Sequence, residues 1–331
     1  MKAKTLPNNR ILVTGGAGYI GSHVNKLLNN LGYNTIVIDN LVRGNKDSIK
    51  WGEFHKICLS DKISLNKLFA EYNIDTVMHF AGFAYVEESV LNPDIYYTNN
   101  VSNTINLLNS MMENNIKKII FSSSCAVFGV PRNLPINENE LKRPINPYGK
   151  SKLMVEKILN DYSNAYDLKH INLRYFNVAG CDKDGEIGEN HNPETHLIPR
   201  IIKSALTEKK EIEIYGDNYD TKDGTCIRDY INVEDLGMAH IKSMNYLDNN
   251  DSDSFNIGVG KGYSILEVIE CIENEMGIHF NRVFKSKRKG DPPVLFSDNT
   301  KALKKLDWNP KHRKLKDIIS TSIDWIRNNE I

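Results

Sequence analysis

Three glycines near the start of the chain, Gly15, Gly18 and Gly21, recur at intervals of three residues. They lie between an apolar run at Arg10–Thr14, which predicts a strand, and a helix-like stretch over residues 19–31. Glycines at such a junction permit a tight turn and let the backbone approach a pyrophosphate, which then faces the free N–H groups of the helix. The motif predicts a dinucleotide-binding unit, and the alternative is a purely structural turn.

An acidic residue follows this unit at the expected distance. Asp39 comes directly after the strand-like run 34–38, 18 residues beyond Gly21. A carboxylate at this point accepts hydrogen bonds from an adenosine ribose and repels a 2′-phosphate, which favours NAD over NADP. Arg43 could soften that preference, but we interpret it as a solvated loop charge. We therefore predict NAD as the cofactor.

Strand-like and helix-like segments alternate over the first half of the chain. Apolar runs at 75–80, 118–122 and 170–176 predict further strands, and helices are predicted at 99–112 and 148–166. Continuously apolar strands are typical of a parallel sheet that is covered on both faces. We expect an α/β fold, with a Rossmann-type doubly wound parallel sheet and a smaller, loop-rich α/β lobe.

The alternation of strand-like and helix-like segments becomes less regular after about residue 178, where Gly, Asp, Asn and Pro cluster over 180–193 and 216–224. A predicted helix at 234–246 and a short apolar run at 254–257 could return to the first sheet. We predict an NAD-binding domain over 1–178, joined by 232–258. The substrate-binding lobe is then expected to comprise 179–231 and 259–331.

Composition excludes several classes of function. The 331 residues include 42 Lys+Arg and 42 Asp+Glu, and this balance counts against a nucleic-acid binder. No apolar run approaches the ~20 residues of a membrane span, and the opening MKAKTLPNN lacks an apolar signal core. Five scattered cysteines without Cys-x-x-Cys argue against a disulfide framework and a zinc site. We expect a cytoplasmic enzyme with reduced thiols and no metal.

A helix start at Asn146-Pro147 precedes a tyrosine and a lysine that are four residues apart. Tyr148 and Lys152 would therefore lie on one helical face. A phenol needs its pKa of about 10 lowered to act as a base near neutral pH, and a neighbouring ammonium lowers it. Alone, this spacing is typical of an ordinary amphipathic helix. Together with the glycine motif, it predicts a proton-transfer pair.

Serines end the strand predicted at 118–122 and continue to Ser124. Ligands in open parallel sheets bind beyond the carboxyl ends of the strands, so these hydroxyls should face the cofactor crevice. The alternative is that they form local turns. Cys125 is expected to be a small packing residue, because nothing beside it in sequence favours a thiolate.

These motifs together resemble the extended short-chain dehydrogenase/reductase family, and within it the epimerases of UDP-sugars. The resemblance extends from Ile11 to about Trp325, and its specific stretches are VTGGAGYIGSH, IDTVMHFAG, NPYGKSKLMVE, LRYFNVAG, DGTCIRDYI and GDPP. It implies a catalytic trio of Ser124, Tyr148 and Lys152.

The resemblance also implies ligand contacts at both ends of the site. The residues expected to contact NAD are Gly15, Gly18, Tyr19, Ile20, Gly21, Asp39, Asn40, Phe80, Ala81, Asn99, Tyr148, Lys152 and Phe176. Those expected to hold the UDP-sugar are Ser124, Tyr148, Asn177, His196, Leu197, Tyr215, Arg228, Tyr230, Arg288, Asp291 and Leu295. Guanidinium groups suit a diphosphate, although either arginine alone could be a surface ion pair.

Four positions depart from the family pattern. Cys58 stands where an Asp often binds the adenine amino group, and Ala84 stands where a Lys is common. Phe128 replaces the usual Tyr of Val-Tyr-Gly, and His196 replaces an Asn of some members. None belongs to the catalytic trio, so the departures leave the reaction intact and the identity of the sugar open.

The resemblance implies a 4-epimerase that interconverts UDP-glucose and UDP-galactose through a 4-keto intermediate. In this reaction the Tyr148 phenolate takes the 4-hydroxyl proton while C4 gives a hydride to NAD. Leu295 would leave room for N-acetylated UDP-hexoses. One alternative is an epimerase of UDP-N-acetylglucosamine or of UDP-xylose/arabinose. A 4,6-dehydratase would carry Asp-Glu after the serine, where this chain has Cys125-Ala126. Two further alternatives are a dehydrogenase that releases NADH and a non-catalytic regulator that binds NAD.

The resemblance further implies a homodimer that packs the helices at about 99–112 and 152–166 as a four-helix bundle. The apolar positions Leu107, Leu108, Met111 and Met112 fit such an interface. They fit a face directed toward the core of one subunit equally well.

Overall fold

The computed structural model describes residues 10–288 and 292–329. Its strands are β1 (Arg10–Thr14), β2 (Thr35–Asp39), β3 (Glu53–Lys56), β4 (Ile74–His79), β5 (Lys118–Ser124), β6 (Lys169–Tyr175), β7 (Asn177–Ala179), β8 (Glu211–Tyr215), β9 (Ile227–Asn232), β10 (Asp253–Ile257), β11 (Gly262–Ser264), β12 (Asn281–Lys285) and β13 (Val294–Leu295).

The helices surround these strands. They are α1 (Tyr19–Asn30), α2 (Lys62–Glu71), α3 (Val86–Leu91), α4 (Pro93–Tyr96), α5 (Asn103–Glu113), α6 (Pro147–Tyr166), α7 (Leu197–Ala205), α8 (Val233–Leu247), α9 (Ile265–Met276), α10 (Thr300–Lys305) and α11 (Leu315–Asn329). A π-helical segment, Tyr97–Ser102, precedes α5, and 3-10 turns occupy Lys46–Ser48 and Cys125–Val127. No helix within the described ranges is long and apolar enough to span a bilayer.

Seven parallel strands form the main sheet in the order β3–β2–β1–β4–β5–β6–β10. The strand order reverses beside β1, and in open α/β sheets ligands bind at the carboxyl edge of that reversal. The arrangement confirms the predicted Rossmann-type doubly wound sheet. It also places the glycine turn after β1 and the serines of β5 at the same edge.

Apolar side chains cover both faces of this sheet. Successive residues of β1 belong to different layers: Val13 packs with α1 and α8, whereas Leu12 packs with α2, α5 and α6. Leu107, Leu108 and Met111 are fully buried in the second layer, and Met112 packs against it. These positions therefore belong to the core of the subunit, because α5 needs them to cover the sheet.

The helix predicted at 99–112 begins differently in the structure. Its first residues form the π-helical segment, and the regular helix starts at Asn103. The side chain of Asn100 accepts a hydrogen bond from the backbone N–H of Phe83 and donates one to its carbonyl, at 2.8 and 2.9 Å. The widened turn thus ties this helix to the loop after β4, a tertiary contact without a local sequence signal.

A smaller group of strands lies beyond the main sheet. β9 is parallel to β7 and β13 and antiparallel to β11, and β8 pairs separately with β12. Between these elements the chain returns to the main sheet, where β10 pairs with β6. The division of the chain into two lobes, with the bounds given above, stays a prediction.

Candidate active site

The glycine turn after β1 packs against the end of β4. Gly15 has a φ of +70°, and a Cβ there would lie 2.5 Å from the backbone nitrogen of Ala81. A Cβ on Gly21 would collide with the carbonyl oxygen of Gly15. Both glycines are therefore required by close backbone approach, as the motif predicts.

Helix α1 begins at this turn without a side-chain cap. Gly18 is its N-cap residue, and within the described residues neither a capping side chain nor an acidic residue of the first turn neutralises its N–H groups. These donors suit the pyrophosphate of a dinucleotide. Tyr19 donates its hydroxyl to the Gly180 carbonyl, and Ile20 packs on the core, so we expect them to reach a ligand through their backbones.

Asp39 shapes the same turn from the end of β2. Its carboxylate accepts the N–H groups of Ala17 and Leu41 at 3.1 and 2.8 Å, and burial raises its pKa. Asn40 follows, and its side-chain nitrogen lies 3.5 Å from the sulfur of Cys58. A partly buried carboxylate beside the glycine turn is compatible with a ribose and unfavourable for a 2′-phosphate.

The interpretation of Arg43 as a solvated loop charge is wrong. Its guanidinium group forms an ion pair with both carboxylate oxygens of Glu88, at 2.6 and 2.8 Å. It also lies over the rings of Phe83 and Tyr85, at 4.3 and 4.9 Å. The loop after β2 is thereby connected to the loop after β4.

The serines at the end of β5 face different partners. Ser122 pairs with the Tyr175 hydroxyl, and Ser123 donates to a carboxylate oxygen of Glu156 at 2.6 Å. The expectation that the hydroxyls face the crevice is wrong for Ser123, because side chains alternate along a strand and its hydroxyl is bonded to Glu156 on the face opposite that of Ser124. The Ser122 hydroxyl is occupied by Tyr175. Ser124 accepts the N–H of Ala126 at 3.1 Å, and its hydroxyl also interacts with the phenol of Tyr148.

Helix α6 begins as the sequence predicts. The side-chain oxygen of Asn146 accepts the N–H of Gly149 at 2.8 Å, and Pro147 is the first helical residue. A Cβ on Gly149 would lie 2.5 Å from the carbonyl oxygen of Ala126. This close contact seats the first turn of the helix, which carries Tyr148, directly against the chain that follows Ser124.

Lys152 is buried beneath Tyr148. Its ammonium nitrogen donates to the Ser122 carbonyl at 2.8 Å and lies 5.9 Å from the centre of the Tyr148 ring. Burial lowers the pKa of Lys152 to about 8. Burial also raises the pKa of Tyr148 to about 12, against the opposing effect of Ser124. The expected lowering of the phenol pKa is thus absent from the protein alone, because burial outweighs the hydrogen bond with Ser124 and the Lys152 ammonium is directed at the Ser122 carbonyl.

A buried ion pair supports this group, and the sequence analysis missed it. Glu156 accepts two hydrogen bonds from Arg174 at 2.8 and 2.7 Å, and both side chains are 4% exposed. Glu156 follows Lys152 by one helical turn and so lies on the same face of the helix. This spacing is the signal in the sequence from which a role for Glu156 could have been predicted. The pair ties α6 to β6 and, through Ser123, to β5.

The remaining cofactor candidates line the same edge of the sheet. Phe80 contacts the ring of His240 at 4.7 Å between centroids, and Ala81 lies against Gly15. Asn99 donates to the Asn100 side chain at 3.1 Å. Phe176 is buried with Leu295 in a small cluster around the turn after β5.

Strand β9 brings four substrate candidates together. Where β9 pairs with β7, Tyr230 lies opposite Asn177, and where it pairs with β13, Arg228 lies opposite Leu295. The positive charge of Arg228 lowers the pKa of the thiol of Cys125, the residue after Ser124. Burial has the larger effect and raises that pKa to about 12. This small sheet therefore lies against the carboxyl end of β5, and Cys125 is a buried packing residue.

The other substrate candidates lie on neighbouring elements. The guanidinium group of Arg288 stacks 4.2 Å from the ring centre of Tyr215, which ends β8 in a separate two-stranded sheet. His196 precedes α7, whose first residue is Leu197. Burial opposes protonation of His196, but the carboxylates of Glu189 and Glu194 raise its pKa to about 10. Asp291 lies outside the described residues.

A cradle for a dinucleotide thus adjoins groups that can move a proton, a combination found in nicotinamide-dependent oxidoreductases and epimerases. The chain belongs to the NAD dependent epimerase/dehydratase family, whose model matches residues 11–258. This membership confirms the family resemblance that the motifs indicate.

Similar proteins match over nearly the whole chain. The UDP-glucose 4-epimerase of Lactobacillus helveticus is 45% identical over 318 residues, which cover 96% of each protein. The crystal structure of UDP-glucose 4-epimerase from Brucella ovis in complex with NAD has a TM-score of 0.92 at 45% identity, and covers 96% of this chain and 98% of that chain. The Bifidobacterium longum enzyme in complex with NAD+ and UDP has a TM-score of 0.93 at 39% identity, with 97% and 99% covered.

Proposed function

We propose that the protein is an NAD-dependent UDP-glucose 4-epimerase that interconverts UDP-glucose and UDP-galactose. The observation that carries this proposal is the packing of Ser124, Tyr148 and Lys152 at the carboxyl end of β5, beside the glycine turn. The near full-length similarity to epimerases of this activity supports the choice of reaction.

Tyr148 takes the proton of the sugar's 4-hydroxyl group and returns it in the second half of the reaction. Ser124 uses its oxygen to accept the N–H of Ala126, so its own hydrogen is available to stabilise the phenolate. Lys152 provides a buried positive charge beneath the ring. When bound in the cradle, NAD supplies a hydride acceptor for C4, and its positive nicotinamide ring favours the phenolate further.

The nucleotide part of the substrate is held by the strands and loops beyond the main sheet. Arg228 and Arg288 provide guanidinium groups for the diphosphate, as P–O⁻ groups favour bidentate donors. Anchoring through the nucleotide leaves the sugar free to present either face of C4. Leu295, which is smaller than the Tyr of related pockets, supports acceptance of N-acetylated UDP-hexoses as well.

We further propose that the enzyme is cytoplasmic and acts as a homodimer. Apolar side chains are exposed on two neighbouring helices, with Val90 and Leu91 on α3 and Met154 on α6. Covering these side chains in a subunit interface would remove them from water. Sedimentation equilibrium of the wild type and of Met154→Glu tests this assignment, since a monomeric wild type would contradict it.

The reaction is tested by incubating the purified protein with UDP-glucose, UDP-galactose, UDP-N-acetylglucosamine and UDP-xylose and resolving the products by NMR. We expect equilibration of UDP-glucose with UDP-galactose without net reduction of NAD. Steady accumulation of NADH would indicate a dehydrogenase instead. A 4-keto-6-deoxy product would indicate a dehydratase, and no product with any sugar would contradict the proposal.

A further inference from the structure

Four metal-binding side chains converge in the segment between β7 and α7. Glu189, His191, Glu194 and His196 each offer one donor atom, and these atoms all lie within 4.8 Å of one another. The residues are spaced Glu-x-His-x-x-Glu-x-His in the chain. The scattered cysteines give no indication of a metal site, and the expectation from the sequence was that the protein has none.

The separations between these atoms range from 2.7 to 3.7 Å, so small shifts of the side chains would place all four around a single ion. The Nδ1 atom of His196 lies 2.7 Å from Glu189 Oε1 and 2.9 Å from Glu194 Oε1. The Nδ1 atom of His191 lies 3.3 and 3.7 Å from Glu189 Oε1 and Glu194 Oε2. In tetrahedral zinc sites the metal–ligand distances of about 2.0–2.1 Å place ligand atoms about 3.3 Å apart.

Several of these atoms have no hydrogen-bonding partner among the described residues. Glu189 Oε1, His191 Nδ1 and Glu194 Oε2 are buried, and their close contacts lack hydrogen-bond geometry. The two glutamate side chains are only 3% and 6% exposed. Unsatisfied buried carboxylates are costly, and a cation at their common point would satisfy all of these atoms at once.

A second cluster of acidic residues is already neutralised by a cation of the chain. Asp182, Asp184 and Glu186 also converge, but the ammonium group of Lys26 lies among them at 2.5–3.0 Å. That group already has its cation within the chain. Among the ion pairs of the described residues, the four-residue cluster has no lysine or arginine in this role. Its positive charge comes from the histidines, and a metal ion would displace their protons.

Aromatic rings flank the cluster on one side, and the His196 side chain is 40% exposed on the other. The Tyr19 ring meets His191 at 6.2 Å, and the Tyr85 ring meets His191 and His196 at 6.1 and 6.2 Å between centroids. Four protein donors are typical of a structural metal site, whereas a catalytic site keeps one position open for water or substrate.

We propose that Glu189, His191, Glu194 and His196 bind one divalent transition-metal ion of the zinc type. Two imidazoles with two carboxylates favour zinc and its neighbours over Mg²⁺ or Ca²⁺, which prefer oxygen-only shells. The ion fixes the segment that leads into α7 and so stabilises the start of that helix at Leu197. The role is structural and does not require the ion to touch the reacting sugar.

The proposal is tested with untagged full-length protein that is stripped with a chelator and then titrated with Zn²⁺ or Co²⁺. We expect one ion per chain by elemental analysis, the visible absorption of tetrahedral cobalt, and a higher Tm with Zn²⁺. His191→Ala and Glu189→Gln should weaken Zn²⁺ binding by at least about 100-fold. His279→Ala, which alters a 97% exposed histidine, is the matched control and should bind as the wild type does.

Each other outcome contradicts the site. If the stripped wild type binds no Zn²⁺ and its Tm does not change, the four groups form ion pairs only. If His191→Ala and Glu189→Gln bind Zn²⁺ like the wild type, the ion lies elsewhere. Circular dichroism of both variants checks that they are folded, and His191→Gln, which keeps the side-chain bulk, replaces His191→Ala if that variant unfolds.

Discussion

Lys152 donates a 2.8 Å hydrogen bond from its ammonium group to the backbone carbonyl of Ser122, two residues before Ser124. This bond links helix α6 directly to the end of strand β5. Tyr148 lies one turn before Lys152 on the same helix, so the bond also holds the phenol close to the end of β5. We therefore expect the lysine to position Tyr148 relative to Ser124 in addition to supplying charge.

Replacing Tyr148 with phenylalanine should abolish epimerisation and leave UDP binding intact. The ring and its packing are retained, and only the proton-transferring oxygen is lost, an effect that is typically ~10²–10⁴-fold for a general base. Turnover of UDP-galactose and calorimetric titration with UDP measure the two properties. Tyr162→Phe on the same helix removes a hydroxyl bound to Asn109 and should keep activity. Activity of Tyr148→Phe within tenfold of wild type would contradict the assignment.

Replacing Lys152 with methionine should inactivate the enzyme and stabilise its fold. Burial lowers the Lys152 pKa from 10.5 to about 8, which corresponds to at most about 3 kcal/mol. This destabilisation has its full value below pH 8, where the folded protein holds a buried ammonium. Between pH 8 and 10.5 the folded protein holds neutral Lys152 while the unfolded chain is still protonated, so the free energy of unfolding rises with pH and the destabilisation decreases.

Urea unfolding of the wild type and of Lys152→Met across this pH range measures the difference. We expect the largest gain in unfolding free energy near pH 7 and a smaller one near pH 10. Lys150→Met, which alters an exposed lysine of the same helix, should show no such pH dependence. A destabilised Lys152→Met at pH 7 would show that the hydrogen bond to Ser122 outweighs the cost of burying the charge.

Removing the charge of Asp39 should relax discrimination against NADP. Asp39→Asn keeps an oxygen for the N–H of Ala17 or Leu41, so it separates the charge from support of the turn. Loss of repulsion between two charges should change the NADP/NAD preference by at least about tenfold. Asp39→Ala should also weaken NAD binding. Equilibrium binding of both dinucleotides to stripped protein provides the measurement, and an unchanged preference in Asp39→Asn would refute the role of charge.

Glu156→Ala should destabilise the protein because it leaves the guanidinium group of Arg174 buried without a partner. Breaking a buried pair in this way costs about 3–5 kcal/mol. The double variant Glu156→Leu/Arg174→Met should recover most of the loss, since neither charge then remains. Chemical denaturation measures all three proteins. Glu113→Ala, which breaks an exposed ion pair with Lys62, should have little effect.

Leu295→Tyr should narrow the sugar pocket. Leu295 is 8% exposed, packs with Phe176 and is the register partner of Arg228, so a larger side chain must displace its neighbours or fill adjoining space. Overpacking costs ~1–3 kcal/mol, about ten- to a hundredfold in kcat/KM. We expect wild type to turn over UDP-N-acetylglucosamine and Leu295→Tyr to lose that activity relative to UDP-glucose. Leu295→Met is the control of similar volume, and an unchanged ratio in Leu295→Tyr would show that this position is not the gate.

The local features of the site could be predicted from the sequence. Gly15 and Gly21 follow from steric limits that act within a few residues, and the start of α6 follows from Asn146 and Pro147. Strand and helix alternation likewise depends on local periodicity. These constraints operate along the chain, so a single sequence contains them.

Other properties depend on contacts between distant segments. Ser122, Ser123 and Ser124 cannot be distinguished in the sequence, so the hydroxyl that contacts Tyr148 can be identified from the tertiary structure alone. The partners of Arg43 and the buried Glu156–Arg174 pair join residues 45 and 18 positions apart. The pKa values of Tyr148 and Lys152 likewise reflect burial by the whole fold.

The dinucleotide-binding unit, the tyrosine–lysine spacing and the parallel sheet can be predicted from the amino-acid sequence alone, because turn sterics, helix capping and apolar periodicity are local. Which polar groups are buried together depends on the tertiary structure, and this includes the convergence of Glu189, His191, Glu194 and His196. Burial and electrostatic interaction depend on distance in space, and that distance is set when β5, α6 and the segment before α7 pack around one edge of the sheet.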